Sequence, residues 1–241
     1  MVESNSTNPA RTQGPRQPLS DFALLAGALG VGLGLAATAI YATPLWVLCA
    51  FGVGAGVAAR GLWGSYPHHD LGLCNAVTLV RLGLTALLFG ALFEPGAVSA
   101  WAVFWIAVAA FALDGVDGYL ARHSGLASRF GARFDMETDA ALGAILATWL
   151  LLSGAVGPAI LILGYLRYVF VVAGWILPAL RAPLPEALRR KAICVAQIGA
   201  LIFITLPGNP WALDALVSLI ASGLLLYSFG VDSFRLLRRA G

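Results

Sequence analysis

Four aspartates, Asp114, Asp117, Asp135 and Asp139, stand at spacings of 3, 18 and 4 in a chain that is otherwise almost purely apolar. Helical residues three or four apart share a face, so they form two carboxylate pairs. A short stretch of loop formers (His123, Ser124, Gly125 and Ser128) separates the pairs. The two helices are therefore expected to be antiparallel neighbours whose acidic faces point into one cleft. Carboxylates gathered in a low dielectric cannot all stay ionised without compensation. Hard divalent cations supply it, and Mg²⁺ suits sites where substrate phosphates complete the ligand shell. Two cations bridged by shared carboxylates serve phosphoryl transfer.

The neighbours of these acids fit the same chemistry. Gly118 and Ala121, each one turn beyond an aspartate, leave clearance beside the carboxylates, and Gly131 opens the facing helix in the same way. Arg122 has the planar donor fork that clamps a phosphate. Plainer readings exist for the parts. Asp117 with Arg122, or Asp139 with Arg133, would make interfacial salt bridges. Asp135 and Glu137 would complement a helix N-terminus, and the glycines would be packing notches. None of these explains four acids facing one place.

The elements that carry the acids are membrane helices. Of the 241 residues 59% are hydrophobic and only 11% charged, a balance no soluble domain needs. The expected architecture is all-α and integral to the membrane, with eight transmembrane helices. Residues 1–20 read as a disordered cytoplasmic tail, 21–62 as an N-terminal transmembrane hairpin, and 63–241 as the catalytic core of six helices. Gly30, Gly32, Gly34, Gly52, Gly54 and Gly56 would let the hairpin helices pack closely or form an oligomer surface. Cys49, Cys74 and Cys194 form no CxxC pair and read as small buried side chains. His68-His69, beside the interfacial Trp63 and Tyr66, reads as a solvated pair rather than a metal site.

At the start of the third span, Asn75, Thr78 and Arg81 recur every third residue on one flank of an apolar helix. They read equally as a polar stripe for a ligand, or as an N-cap with a snorkelling arginine. With eight spans and a cytoplasmic N-terminus, every Lys and Arg except Arg167 falls on the cytoplasmic side, and the opposite loops hold none. That asymmetry is the positive-inside pattern. It places both termini and all four aspartates at the cytoplasmic rim. A small net charge of +3 gives no reason to expect a nucleic-acid partner.

The run D-x2-D-G-x2-A-R-x8-G-x3-D-x3-D, matched at Asp114, Asp117, Gly118, Ala121, Arg122, Gly131, Asp135 and Asp139, resembles the signature of the CDP-alcohol phosphotransferases. The resemblance implies transfer of a substituted phosphate from a CDP-linked donor to an alcohol, with release of CMP. It implies that Asp114, Asp117 and Asp135 hold the metals, two Mg²⁺ or Mn²⁺ ions, with Asp139 as the general base and a fourth metal ligand beside them. Gly118, Ala121, Arg122 and Gly131, with the N-x2-T-x2-R element Asn75, Thr78 and Arg81, would receive the nucleotide. Arg167 is similar to an arginine that meets an acceptor phosphate, although Tyr168 stands where that branch has Glu. Arg190 and Lys191 with Gln197 weakly resemble a Gly-Lys…Gln element. A homodimer in a bacterial-type inner membrane is also implied.

The expected function is a membrane phosphatidyltransferase of phospholipid biosynthesis that uses CDP-diacylglycerol and a small alcohol. Arg167, Arg190 and Lys191 favour an anionic acceptor such as glycerol 3-phosphate or inositol phosphate. The rivals are a neutral or zwitterionic acceptor (inositol, serine or choline), a divalent-cation transporter, and a non-catalytic scaffold.

Overall fold

The computed structural model describes residues 16–181 and 188–240. The expected tail before residue 16, with Arg11, and most of the proline-rich loop at 178–186 lie outside the described residues. Among the described residues every element is helical: α1 (Arg16–Ile40), α2 (Leu45–Ser65), α3 (Leu73–Gly90), α4 (Ala100–Ser124), α5 (Arg129–Leu152), α6 (Leu161–Ile176), α7 (Leu188–Thr205) and α8 (Trp211–Ala240). The first helix begins at Arg16, inside the stretch expected to be tail; Pro18 stands in its first turn, where the missing N–H has no helical partner to lose. Ser99 and Ser128 accept backbone N–H bonds from Ala102 and Gly131 and cap α4 and α5. Gly125, at φ 70°, ends α4 in the left-handed conformation that reverses the chain.

Six helices (α1, α2, α3, α4, α6 and α8) are long and apolar enough to cross a membrane. That is the character of an integral membrane protein, and their outward faces are apolar, with Leu24, Val53, Trp105, Trp175 and Leu219 exposed. The expected count of eight is met by helices but not by apolar spans. α5 carries Asp135, Glu137 and Asp139, and α7 carries Arg189, Arg190 and Lys191, within their own helical length. Cys49 and Cys194 are exposed rather than buried, and only Cys74 is enclosed. A thiol is apolar enough to face lipid.

The central element is α3, which packs against α1, α2, α4 and α5. α1 and α2 form the expected hairpin and cover one side of α3. Gly54 of α2 lies so close to α3 that an added Cβ would stand 2.8 Å from Leu82. Glu94, in the α3–α4 turn, accepts the backbone N–H of Ala42 at 2.6 Å and ties the far ends together. One apolar core joins the hairpin and α3 to Phe130 and Phe134 of α5. A second gathers the inner faces of α4 to α8.

One expectation fails here. α4 and α5 are not packed neighbours: α3 stands between them and contacts both. The expected convergence of the acidic faces still holds, since Asp114 of α4 meets Asp135 and Asp139 of α5, with polar residues of α3 reaching into the same cleft.

A close contact that involves backbone lies between α5 and α6. A Cβ on Gly164 would stand 2.7 Å from the Ala147 Cβ and 3.0 Å from the Gly143 carbonyl oxygen. Backbone cannot swing aside as a flexible side chain can. Gly164→Ala is therefore expected to cost about 1–3 kcal/mol of stability through overpacking. Gly32→Ala, with nothing within 4 Å, should leave stability unchanged or slightly raised. Thermal unfolding of both variants in the same detergent checks the contrast.

Candidate functional site: an acid cluster around Arg81

Asp114 and Asp117 come from the C-terminal half of α4, Asp135 and Asp139 from the first turns of α5, and Asn75, Thr78 and Arg81 from α3. Arg81 sits at the centre and is 1% exposed. Its Nη1 donates to Asp117 Oδ2 at 2.7 Å and to Asp135 Oδ1, and its Nη2 donates to Asp139 Oδ1. Nη2 also lies 3.1 Å from Asp114 Oδ1. Its Nε donates to the Ala110 carbonyl at 3.1 Å. One guanidinium from α3 thus meets all four carboxylates, two from α4 and two from α5.

The four acids are not equivalent. Asp117 is 4% exposed, and its Oδ2 accepts from Thr78 Oγ1 at 3.0 Å as well as from Arg81. Asp114, Asp135 and Asp139 stay partly open, and each offers an oxygen within 4.8 Å of the others. All four were expected to be metal ligands; the structure gathers three in one group and turns the fourth towards α3. Neither Asp117 with Arg122 nor Asp139 with Arg133 forms an ion pair among the described residues.

The donor set fits a divalent cation. It consists of hard carboxylate oxygens, the preferred ligands of Mg²⁺ and of Mn²⁺. Four carboxylates against one guanidinium also leave three formal negative charges uncompensated. Asp114, Asp135 and Asp139 are the residues that would hold such an ion.

The residues expected to receive a nucleotide lie around this cluster. Gly118 leaves space that the Arg122 guanidinium approaches, with Nη1 3.4 Å from where a Cβ would be. Ala121 is half-buried and Arg122 exposed at the same rim. Gly131 lets Asn75 approach α5, since a Cβ there would stand 3.0 Å from Asn75 Oδ1. Asn75 is buried, and its Nδ2 donates to the Leu71 carbonyl at 2.6 Å and to the Tyr66 hydroxyl at 3.2 Å. Neither an N-cap nor a snorkelling arginine describes what α3 does: Asn75 makes no capping bond at the α3 N-cap, Gly72, and Arg81 points into the protein.

The three expected acceptor residues share a second feature. Arg167, Arg190 and Lys191 line a cavity of about 370 Å³ between α5, α6, α7 and α8, and Asp139 is on its wall. Asp139 therefore belongs both to the acid cluster and to this cavity. Arg167, half-buried in α6, donates through Nη2 to Glu137 Oε1 at 2.6 Å. On the opposite wall is Asp232 of α8. It accepts from Arg189 Nη2 at 2.6 Å and lies 3.8 Å from Arg190 Nη1. Sequence reasoning passed over Asp232, although an acid inside the last apolar run was a signal. Gln197 donates to the Leu163 carbonyl beside the same cavity.

Removing Arg81 would strand buried Asp117 with Thr78 alone. Arg81→Ala is expected to lose about 3–5 kcal/mol, the cost of breaking a buried charge pair. Adding Asp117→Asn to that variant should recover part of the loss. A double-mutant cycle by thermal unfolding checks the coupling.

No curated protein and no solved structure matches the chain. The family model described as CDP-alcohol phosphatidyltransferase matches residues 71–228, more than half of the chain, and takes in all four aspartates, the α3 residues and the cavity lining up to Ser228, ending before Phe229 and Asp232. The chain belongs to this family of divalent-metal transferases, which move a phosphate-linked group between a CDP-alcohol and an acceptor in phospholipid synthesis.

Proposed function

We propose that the protein is a phosphatidyltransferase that moves the phosphatidyl group of CDP-diacylglycerol to an anionic alcohol and releases CMP. The observation that carries this reading is the position of Asp139, shared by the acid cluster and the cavity lined by Arg167, Arg190 and Lys191. A hydroxyl whose anionic end is held by those cations lies within the reach of Asp139, and its other neighbour is the metal-binding side of the cluster.

Asp114, Asp117, Asp135 and Asp139 form the metal site, with Asp117 completing it as a ligand once released from Arg81. Two Mg²⁺ or Mn²⁺ ions there would neutralise the donor pyrophosphate and stabilise CMP as it leaves. Gly118, Ala121, Arg122 and Gly131, with Asn75, Thr78 and Arg81, form the nucleotide side. Asp139 takes the proton of the acceptor hydroxyl as that oxygen attacks the lipid-linked phosphorus. Arg167 binds and orients the acceptor's anion. Its Nε is buried with no hydrogen-bond partner among the described residues, a donor that an oxyanion would satisfy. Glu137 and Asp232 hold the cations of the cavity in place.

The topology follows the charges. α5 and α7 cross the membrane with the other six helices, their charged first turns at the cytoplasmic rim. Residues 63–241 form the catalytic core and 21–62 an added hairpin. Both termini and the site face the cytoplasm of a bacterial-type inner membrane, and the working unit is a homodimer. CDP-diacylglycerol reaches the site sideways from the inner leaflet.

The test is CMP release from CDP-diacylglycerol against a panel of alcohols, with Mg²⁺ or Mn²⁺. Glycerol 3-phosphate or an inositol phosphate should support turnover, whereas inositol, serine and choline should not. Asp139→Asn should lower kcat at least about 100-fold, as expected for a lost general base. Arg167→Gln should raise KM for the acceptor and leave KM for the donor unchanged. Turnover with a neutral alcohol alone would remove the anionic assignment. Metal flux across vesicles without CMP release would replace the reaction with transport.

A further inference from the structure

The family match begins at residue 71, yet the end of α2 just before it is tied to the start of α3 and to α5. α2 ends at Ser65, and Tyr66 follows as its C-cap. The Tyr66 hydroxyl lies 2.7 Å from the Asp70 carbonyl and 2.8 Å from the Leu71 carbonyl, and it accepts from Asn75 Nδ2 at 3.2 Å. It therefore ties the end of the hairpin to the first turn of α3. Its ring stands edge-on to Phe130 of α5, with centroids 5.7 Å apart. Phe130 stacks on Phe134, the residue before Asp135. On its other side Asn75 is wedged against α5 at Gly131.

From Asn75 the same flank of α3 continues to Thr78 and then to Arg81. These two side chains hold Asp117, and Arg81 also meets Asp114, Asp135 and Asp139. A helix is rigid along its axis, so a shift or rotation at Asn75 is carried to Arg81. The set of the acid cluster therefore depends on how the start of α3 is seated between the hairpin and α5.

We propose that Tyr66 is a positioning residue: its hydroxyl sets the register of α3 against α5, and through Asn75, Thr78 and Arg81 it fixes the geometry of the acid cluster. The end of α2 and its C-cap, just before the residues that the family model matches, are then part of the working site. The proposal rests on the phosphatidyltransferase reading for its activity arm, but not for its metal-binding arm.

A matched control lies in the same hairpin. The Tyr41 hydroxyl donates to the Leu87 carbonyl at 2.6 Å, at the far end of α3. Tyr66→Phe and Tyr41→Phe each delete one buried hydroxyl that links the hairpin to α3. The full chain, reconstituted in lipid nanodiscs, is compared as wild type and as each variant. Three quantities are measured: thermal unfolding, Mn²⁺ affinity by electron paramagnetic resonance, and kcat and KM for CMP release. Measurements are made well below the unfolding temperature.

Both variants should unfold at similarly lowered temperatures. Only Tyr66→Phe should weaken Mn²⁺ binding, by about tenfold, the usual scale for losing an outer partner of a metal site. It should also lower kcat by roughly tenfold or more, with KM for the donor little changed, as expected when reacting groups are slightly misplaced. A Tyr66→Phe variant that binds Mn²⁺ and turns over like Tyr41→Phe overturns the proposal. A wild-type protein that releases no CMP overturns the reaction instead, and the Mn²⁺ comparison still decides the role of Tyr66.

Discussion

The structure depends on one buried cation. Arg81 is enclosed by apolar helices, and no single partner could compensate it there at low cost. Four carboxylates and a backbone carbonyl share it. That sharing fixes the order of the helices at the site: α3 must stand between α4 and α5, since only from there can its guanidinium meet both acidic faces. The same arrangement leaves the cluster with excess negative charge, which is the condition for binding divalent cations. Compensation of the arginine and readiness for a metal are two results of one placement.

α5 links this cluster to the second polar region. Asp135 and Asp139 face α3, while Glu137, offset on the same helix, reaches Arg167 of α6. Around the neighbouring cavity the cations are held by acids from other helices, Arg167 by Glu137 and Arg189 by Asp232. Such pairs contribute little net stability where they are exposed to water. Their use here is geometric: they keep long, mobile side chains pointing to one place. The close α5–α6 contact at Gly164 serves the same end, since it fixes the distance between Asp139 and Arg167 through backbone rather than through side chains.

Much of this was legible in the sequence. The acidic motif announced the cluster because its residue types are costly in an apolar chain and its spacing is helical. The helix boundaries followed from Pro, Gly and Ser in the turns. The arrangement of α4 and α5 was not legible. Sequence neighbours joined by a short loop usually pack together, and nothing local tells that a third helix intervenes. For the same reason Arg81 read as a member of a ligand stripe or as a snorkelling arginine, not as the centre of the acids: its burial arises from partners 29 to 58 positions away. Asp232 was missed because its partner Arg189 comes from another helix, 43 positions away. The hairpin's reach to α5 was hidden as well, because Tyr66 looks like any interfacial aromatic until Phe130 is seen beneath it.

The sharing of Arg81 also bears on how the chain enters a bilayer during synthesis. When α3 emerges, its arginine lies mid-helix and every acidic partner is still to come. A lone arginine at that depth costs about 2.5–3.5 kcal/mol on insertion scales. α4 brings the first two carboxylates, and α3 and α4 form the most closely associated helix pair in the fold. The two segments are thus suited to leave the translocation channel together, as a pre-neutralised unit, with the hairpin of α1 and α2 already in place to receive them.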